Sequence, residues 1–264
     1  LVARANAMTR TRSASSRGEA EPVEPALVLA DGSHEAFRTV TTENASAYWG
    51  AVDATMDGVL GGYAVVSSPD ADSSLAFAGA VLGAGVLPVG RALDCGAGIG
   101  RVTRDVLTKL ALKVDLVELV PKYVEQARIE LAAEPRMGEF FTSSLQEFTP
   151  TAAQYDLVWI QWVIGHLTDT EFVAFLRRCA AGLRPGGWIV VKDNNASPTE
   201  HGIIDGAYLV DSQDHSVMRT NKLVKQLFDA ADLELRKEVR QTRFPSELCA
   251  VRMYALQPRA QQQP

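Results

Sequence analysis

The chain has 264 residues, 47% of them hydrophobic and 22% charged, with a net charge of −6. That charge speaks against nucleic acid or an anionic membrane as a bulk partner, and no apolar run reaches the roughly 18 residues of a membrane span. Cys95, Cys179 and Cys249 share no CxxC spacing and the four histidines form no HxxxH pair, so neither a disulfide framework nor a metal site is expected.

Residues 1–40 contain "TRTRSASSRGEAEPVEPA", rich in Arg, Ser, Glu and Pro, and are expected to be a disordered tail. An organellar transit peptide is the weaker alternative, because Glu19, Glu21 and Glu24 follow the arginines closely. "ENASAYWGAV", with Tyr48 and Trp49, predicts a helix, and "MDGVLGGY" (56–63) a turn-rich loop. "SSPDADSSLAFAGAVL" predicts a helix capped by Ser68 with Pro69 at its first position.

Strands and helices then alternate. "VGRALDCG", "KVDLVEL", "YDLVWIQW" and "GWIVVKDN" read as strands; 101–111, 121–133 and "DTEFVAFLRRCAAGL" read as helices. A helix over 221–231 follows, and "LELRKEVR" with "LCAVRMYAL" closes the chain as an antiparallel pair. The expectation is an α/β fold of Rossmann-like type: a mostly parallel sheet, a C-terminal antiparallel hairpin and an N-terminal helical extension. Residues 41–264 form one domain in this reading, with 41–84 as an N-terminal lid or wall segment and 85–258 as the core.

The most informative stretch is "LDCGAGIGR" (93–101) between a strand and a helix. Its glycines are spaced G-x-G-x-G after Asp94, whereas a dinucleotide fingerprint is G-x-G-x-x-G. A helix N-terminus aimed at a pyrophosphate is what a dinucleotide needs, so an NAD oxidoreductase is the weakest reading. Glu118 ends the next strand, where an acid accepts hydrogen bonds from ribose hydroxyls.

These residues resemble the seven-strand class of S-adenosylmethionine (SAM)-dependent methyltransferases. The resemblance implies that Asp94, Gly96 and Gly98 line the methionine side, that Arg101 meets the SAM carboxylate and that Glu118 meets the ribose. It also implies that Leu145 and Gln146, in "SSLQEF", lie beside the adenine.

In an open α/β sheet, ligands bind beyond the carboxyl ends of the strands. "LVWIQWVIGHL" (157–167) runs as a core strand and ends in Gln161, Trp162 and His166, which therefore belong to the crevice rim, with Gln161 expected among the cofactor-binding residues. The segment 205–219, "DGAYLVDSQDHSVMR", is acidic and reads as neither strand nor helix.

"WIQWVIGHLTD", "FLRRC", "LRPGG", "VVKDN" and "DGVLGGY" together resemble the protein α-N-terminal methyltransferases, from about Tyr48 to Leu256. That family methylates the α-amino group of proteins starting Xaa-Pro-Lys or Xaa-Pro-Arg, turning SAM into S-adenosyl-L-homocysteine (SAH), and its members are cytoplasmic and nuclear. The resemblance implies that His166 and Asp214 take the amine proton and that Asn194, supported by Asp193, bonds the first substrate residue. Trp49 and Trp162 would pack on the Pro, while Asp211, Asp214 and the neighbouring Ser216 would receive the third-position Lys or Arg. Expected partners are thus protein or peptide N-termini, with no nucleic acid, membrane or metal. "NNASPTEHGIIDGAY" is longer than the family pattern. Two other readings stay open: a small-molecule N- or O-methyltransferase on the same fold, and a catalytically silent binding module.

Overall fold

The computed structural model describes residues 27–28, 37–83, 85–197, 199 and 208–259. Within the expected tail, Leu27–Val28 (β1) pairs antiparallel with Tyr208 and Leu209, and the Phe37 ring packs edge-on against Tyr208 at 5.0 Å. Residues 1–26 and 29–36 of that tail, and most of the long "NNASPTEHGIIDGAY" segment, lie outside the described residues.

The N-terminal segment supplies three helices. Helix α1 (Thr42–Ala51) is capped by Thr41, whose hydroxyl accepts from the Asn44 N–H. The expected loop at 56–63 contains one short helix, α2 (Met56–Val59), whose Thr55 cap accepts from Gly58 N–H. Helix α3 (Ser67–Leu82) grows directly out of a 3-10 turn at Ala64–Val66. Ser68 is therefore inside its first turn and is not the cap: the preceding Val66 is already helical and makes no side-chain cap bond.

The core is a seven-stranded sheet. Its strands are β2 (Val89–Cys95), β3 (Ala111–Glu118), β4 (Met137–Thr142), β5 (Tyr155–Gln161) and β6 (Leu183–Asn195), then β9 (Leu233–Arg240) and β10 (Ala250–Pro258). Their order is β4-β3-β2-β5-β6-β10-β9, with β10 antiparallel to both its neighbours and the other pairs parallel. The order reverses between β2 and β5, which opens a crevice at their carboxyl ends.

Along β5 the side chains alternate between two layers: Val158 and Ile160 join one apolar cluster, Leu157 and Trp159 the other. Both faces are covered, which is why the strand reads as an unbroken apolar run. Helix α6 (Asp169–Gly182) covers one face with Phe172, Phe175, Leu176 and Cys179, spaced for a single helical side. Its start is fixed by a capping box, Thr168 accepting from Glu171 N–H and the Glu171 carboxylate accepting from Thr168 N–H. Helix α5 (Pro121–Glu130) follows β3, and helix α7 (Asn221–Ala230) packs against α6 through Phe228 and Phe172.

Several expectations change. The helix after the glycine loop carries a π segment, Thr103–Leu107, followed by α4 (Thr108–Leu110), and gives way to strand at Ala111. Within segment 205–219 the described residues 208–219 are not irregular: β7 (Tyr208–Asp211) and β8 (Ser216–Arg219) form an antiparallel hairpin with Asp211 opposite Ser216. Each strand is only four residues long, and acidic turn residues surround the apolar positions that pack inward. Strand β5 ends at Gln161, one residue early, because Trp162 has φ of 54° and cannot continue an extended ladder.

Candidate active site

At the switch point the chain encloses a cleft of about 940 Å³. Gly96, Gly98 and Arg101 form its floor, Glu118 and Tyr123 one side, Leu145 and Gln146 another, and Gln161, Trp162 and His166 the rim. Trp49 reaches in from α1. Ten sequence-predicted site residues thus meet on one cavity, although they are spread along the chain from Trp49 to His166.

The glycine loop is shaped by backbone need. Gly96 has φ of 71° and a Cβ there would lie 2.7 Å from Val163 Cγ2; Gly98 has φ of 56°. Both conformations are costly for residues bearing a Cβ. Glu118 secures the loop: one carboxylate oxygen accepts from Gly98 N–H at 2.8 Å and the other from Val120 N–H at 2.8 Å. Burial pushes its carboxyl pKa up, opposed by those backbone bonds.

Asp94 is not on the cleft lining. It is buried behind the loop, accepts from the Thr103 hydroxyl at 2.6 Å, and is raised to about 6 by burial. Its placement ties the strand end to the following helix. The 145–148 loop is held by Arg178, which donates to the carbonyls of Leu145, Gln146 and Phe148, while the Gln146 amide donates to His166 C=O at 3.1 Å.

Gln161 answers why an apolar strand ends in an amide. Its carbonyl oxygen accepts from Trp159 Nε1 at 2.9 Å and its NH2 donates to both Asp70 oxygens at 3.0 and 2.9 Å. Asp70 lies in α3 and was not anticipated; neither was Lys192, whose Nζ is 2.5 Å from Asp70 Oδ1 and donates to Ser74 Oγ at 3.0 Å. The signal for Lys192 was a cation inside the apolar run of "VVKDN", which requires a buried partner.

His166 is fixed by Trp49 at its ring and by Arg219 through its turn. Trp49 Nε1 donates to its Nε2 at 2.9 Å, so its hydrogen sits on Nδ1, which is buried without a protein partner among the described residues. Burial lowers its pKa to about 3, against a smaller raising effect from Asp211. Arg219, only 1% exposed, brackets the turn by donating to Ile164 C=O at 2.8 Å and Leu167 C=O at 2.6 Å, and pairs with Asp169 at 2.7 Å.

Asp193, Asn194, Asp211, Asp214 and Ser216 are not on the lining either; they sit at the end of β6 and on the hairpin beside the His166 turn. Asp193 accepts from Ile164 N–H at 3.3 Å and Asn194 N–H at 2.7 Å, and burial raises it to about 6. A Cβ on Gly165 would stand 2.9 Å from Val217 C=O and 3.1 Å from Ser216 Cβ, so the hairpin presses directly on the turn. Burial and the Asp214 charge both raise Asp211, and among the described residues neither carboxylate pairs with a cation. Tyr48, another unanticipated neighbour, is raised by burial and then by the charges of Asp214 and Asp211.

Sequence comparison gives this geometry a family. The sequence model of a family described as "AdoMet dependent proline di-methyltransferase" matches residues 38–257. The chain belongs to this family. Human N-terminal Xaa-Pro-Lys N-methyltransferase 1 is 43% identical over 215 residues, covering 80% of this chain and 93% of that protein. Alpha N-terminal protein methyltransferase 1 of Arabidopsis thaliana is 40% identical over 232 residues, covering 84% and 81%. A solved SAM-dependent methyltransferase from Leishmania major superposes with a TM-score of 0.77 at 32% identity, over 92% of this chain and all of that one. The fold is that of a SAM-dependent methyltransferase, and the family's cofactor fits the glycine cradle, the carboxylate of Glu118 and the cation of Arg101.

Proposed function

We propose that the protein transfers methyl groups from SAM to the α-amino group of proteins beginning Xaa-Pro-Lys or Xaa-Pro-Arg. The observation that carries this reading is the aromatic and acidic surround of the cleft rim: Trp49 and Trp162 on the lining, with Asp211 and Asp214, which have no cation partner among the described residues, on the adjoining hairpin. A cytoplasmic and nuclear location goes with it; no helix of the described residues is long and apolar enough to cross a membrane.

SAM supplies an electrophilic methyl on a sulfonium. Gly96 and Gly98 let the backbone approach the cofactor, Arg101 binds its carboxylate, Glu118 its ribose hydroxyls, and Leu145 and Gln146 its adenine. Gln161, on the lining, faces the cofactor with the free lone pair of its carbonyl oxygen while its NH2 holds Asp70 and that oxygen accepts from Trp159. Asp94 serves the loop from behind through Thr103.

The substrate's Pro packs between Trp49 and Trp162, whose rings exclude water. Asn194, with Asp193 behind it, hydrogen-bonds the first residue. Asp211 and Asp214, with Ser216, receive the third-position cation, a charge complementarity that gives selectivity as well as binding. In-line displacement needs a neutral, aligned amine, and an α-amino group has a pKa of about 7.7–8.0. Asp214 is the acceptor open to its proton; His166 becomes one when Trp49 releases Nε2.

The test is substitution within the peptide. A Ser-Pro-Lys peptide should be methylated, and replacement of its Pro by Ala should cut kcat/KM by roughly tenfold or more, since the Trp-lined packing is lost. Equal rates on the two peptides would refute the reading.

A further inference from the structure

The buried polar cluster under the cleft has an unusual division of labour. Arg101 Nη1 donates to Asp70 Oδ2 at 2.7 Å; Lys192 Nζ sits 2.5 Å from the other oxygen, Oδ1; and the Gln161 amide spans both. Asp70 and Lys192 are fully buried and Arg101 is 5% exposed.

An arginine facing a lone carboxylate ordinarily takes it in a two-pronged fork. Here Lys192 occupies the second oxygen and the Gln161 amide lies across both, so Arg101 is held by one nitrogen. Its Nε and Nη2 have no acceptor among the described protein groups, and the residue lines the cleft. The Arg101 guanidinium also lies 5.3 Å from the centre of the Trp162 ring, which fixes its plane from the other side.

Burial alone would raise the Asp70 carboxyl, but the charges of Arg101 and Lys192 outweigh it and hold it below the ordinary carboxylate range. Asp70 is therefore an ionised anchor, and it is carried by α3, outside the sheet core that forms the glycine loop.

We propose that Asp70 and Lys192 are positioning residues for the cofactor's carboxylate: together they keep Arg101 singly bonded, leaving its remaining N–H groups free to grip that carboxylate. The inference rests on the SAM reading of the cleft. In consequence the N-terminal helical segment helps build the cofactor site as well as the peptide wall.

The test compares two ligands on the full chain by calorimetry: SAH, which carries the amino-acid carboxylate, and 5′-methylthioadenosine, which lacks it. Losing one charge-assisted bond predicts that Asp70→Asn and Lys192→Met each weaken SAH by roughly 10–100-fold, with methylthioadenosine changed less than about threefold. At saturating SAM, kcat should stay within about threefold of wild type while KM for SAM rises. Because a lone buried charge can unfold a protein, Asp70→Asn/Lys192→Met removes both charges together and should fold with the same SAH-selective loss. Equal weakening of both ligands, or unchanged SAH affinity, in the folded variants overturns the proposal. Failure of the wild-type protein to bind SAH would instead sink the SAM reading itself.

Discussion

Trp49 Nε1 donates a hydrogen bond to His166 Nε2 at 2.9 Å, joining residues 117 positions apart. The contact fastens helix α1 to the cleft rim, assisted by Lys122 donating to Gly50 C=O at 2.6 Å and Tyr123 donating to Val52 C=O at 3.2 Å. Trp49→Phe keeps an aromatic wall but removes the bond. The expected loss is about 1 kcal/mol, seen as a several-fold rise in peptide KM with SAH affinity unchanged by calorimetry. A variant with wild-type peptide kinetics would show that the bond does not hold the segment closed.

The same burial gives His166 a pH signature. Its imidazole is held at about 3 in the fold, against about 6.5 in the unfolded chain, so the unfolded state takes the proton first. Its stabilising contribution is complete above about pH 6.5 and drains as pH falls toward 3. Asp193, raised to about 6 by burial, acts oppositely: its contribution is complete below about pH 3.8 and is lost as pH rises through 6. Thermal melts from pH 6.5 to 4 should therefore fall less steeply for His166→Gln than for wild type. Parallel slopes would mean that His166 titrates normally in the fold.

The acidic hairpin should act on the third substrate residue. Asp211→Asn and Asp214→Asn are each expected to reduce kcat/KM by roughly tenfold on a third-position Lys peptide, as for loss of one charge-assisted contact. A third-position Gln peptide should lose much less. Equal losses on both peptides would remove the hairpin from substrate selection.

Asn194 separates chemistry from cofactor binding. Asn194→Lys places a bulky cation at the position proposed for the substrate's first residue, so transfer should be abolished while SAH still binds within a few-fold. Loss of SAH binding in a folded variant would assign Asn194 to the cofactor instead.

Arg219 offers a stability test. Replacing it by Met takes the Arg219 donors from the Leu167 carbonyl and from the Ile164 carbonyl, which keeps only the Leu167 N–H, and unpairs the partly exposed Asp169. The expected cost is about 2–4 kcal/mol, measurable by chemical denaturation. A change below about 0.5 kcal/mol would show that the turn holds His166 without it.

The sequence made the parallel sheet legible because its central strands are buried on both faces and read as plain apolar runs, β5 above all. The glycine loop, Glu118 and the "WIQWVIGHL" rim were legible because positive-φ glycines and polar strand ends interrupt those runs. Strand β4 was missed because "MGEFFT", at the sheet edge, has no fully buried residue, exposes Glu139 and Thr142, and shows neither alternation nor an apolar run. The β7–β8 hairpin was hidden by its acidic turn. Asp70 carried no local mark at all: its partners Arg101 and Lys192 are 31 and 122 residues away, and only the fold brings the three together.

The most direct measurement is mass spectrometry of a Ser-Pro-Lys-Arg peptide incubated with the protein and SAM, beside a copy with an acetylated N-terminus. The account predicts methyl increments on the free peptide and none on the acetylated one, since acetylation turns the α-amine into an amide whose lone pair is delocalised while leaving the Lys side chain unchanged. Increments on both, or none on either while SAM binds, would contradict α-amino methylation as the reaction of this cleft.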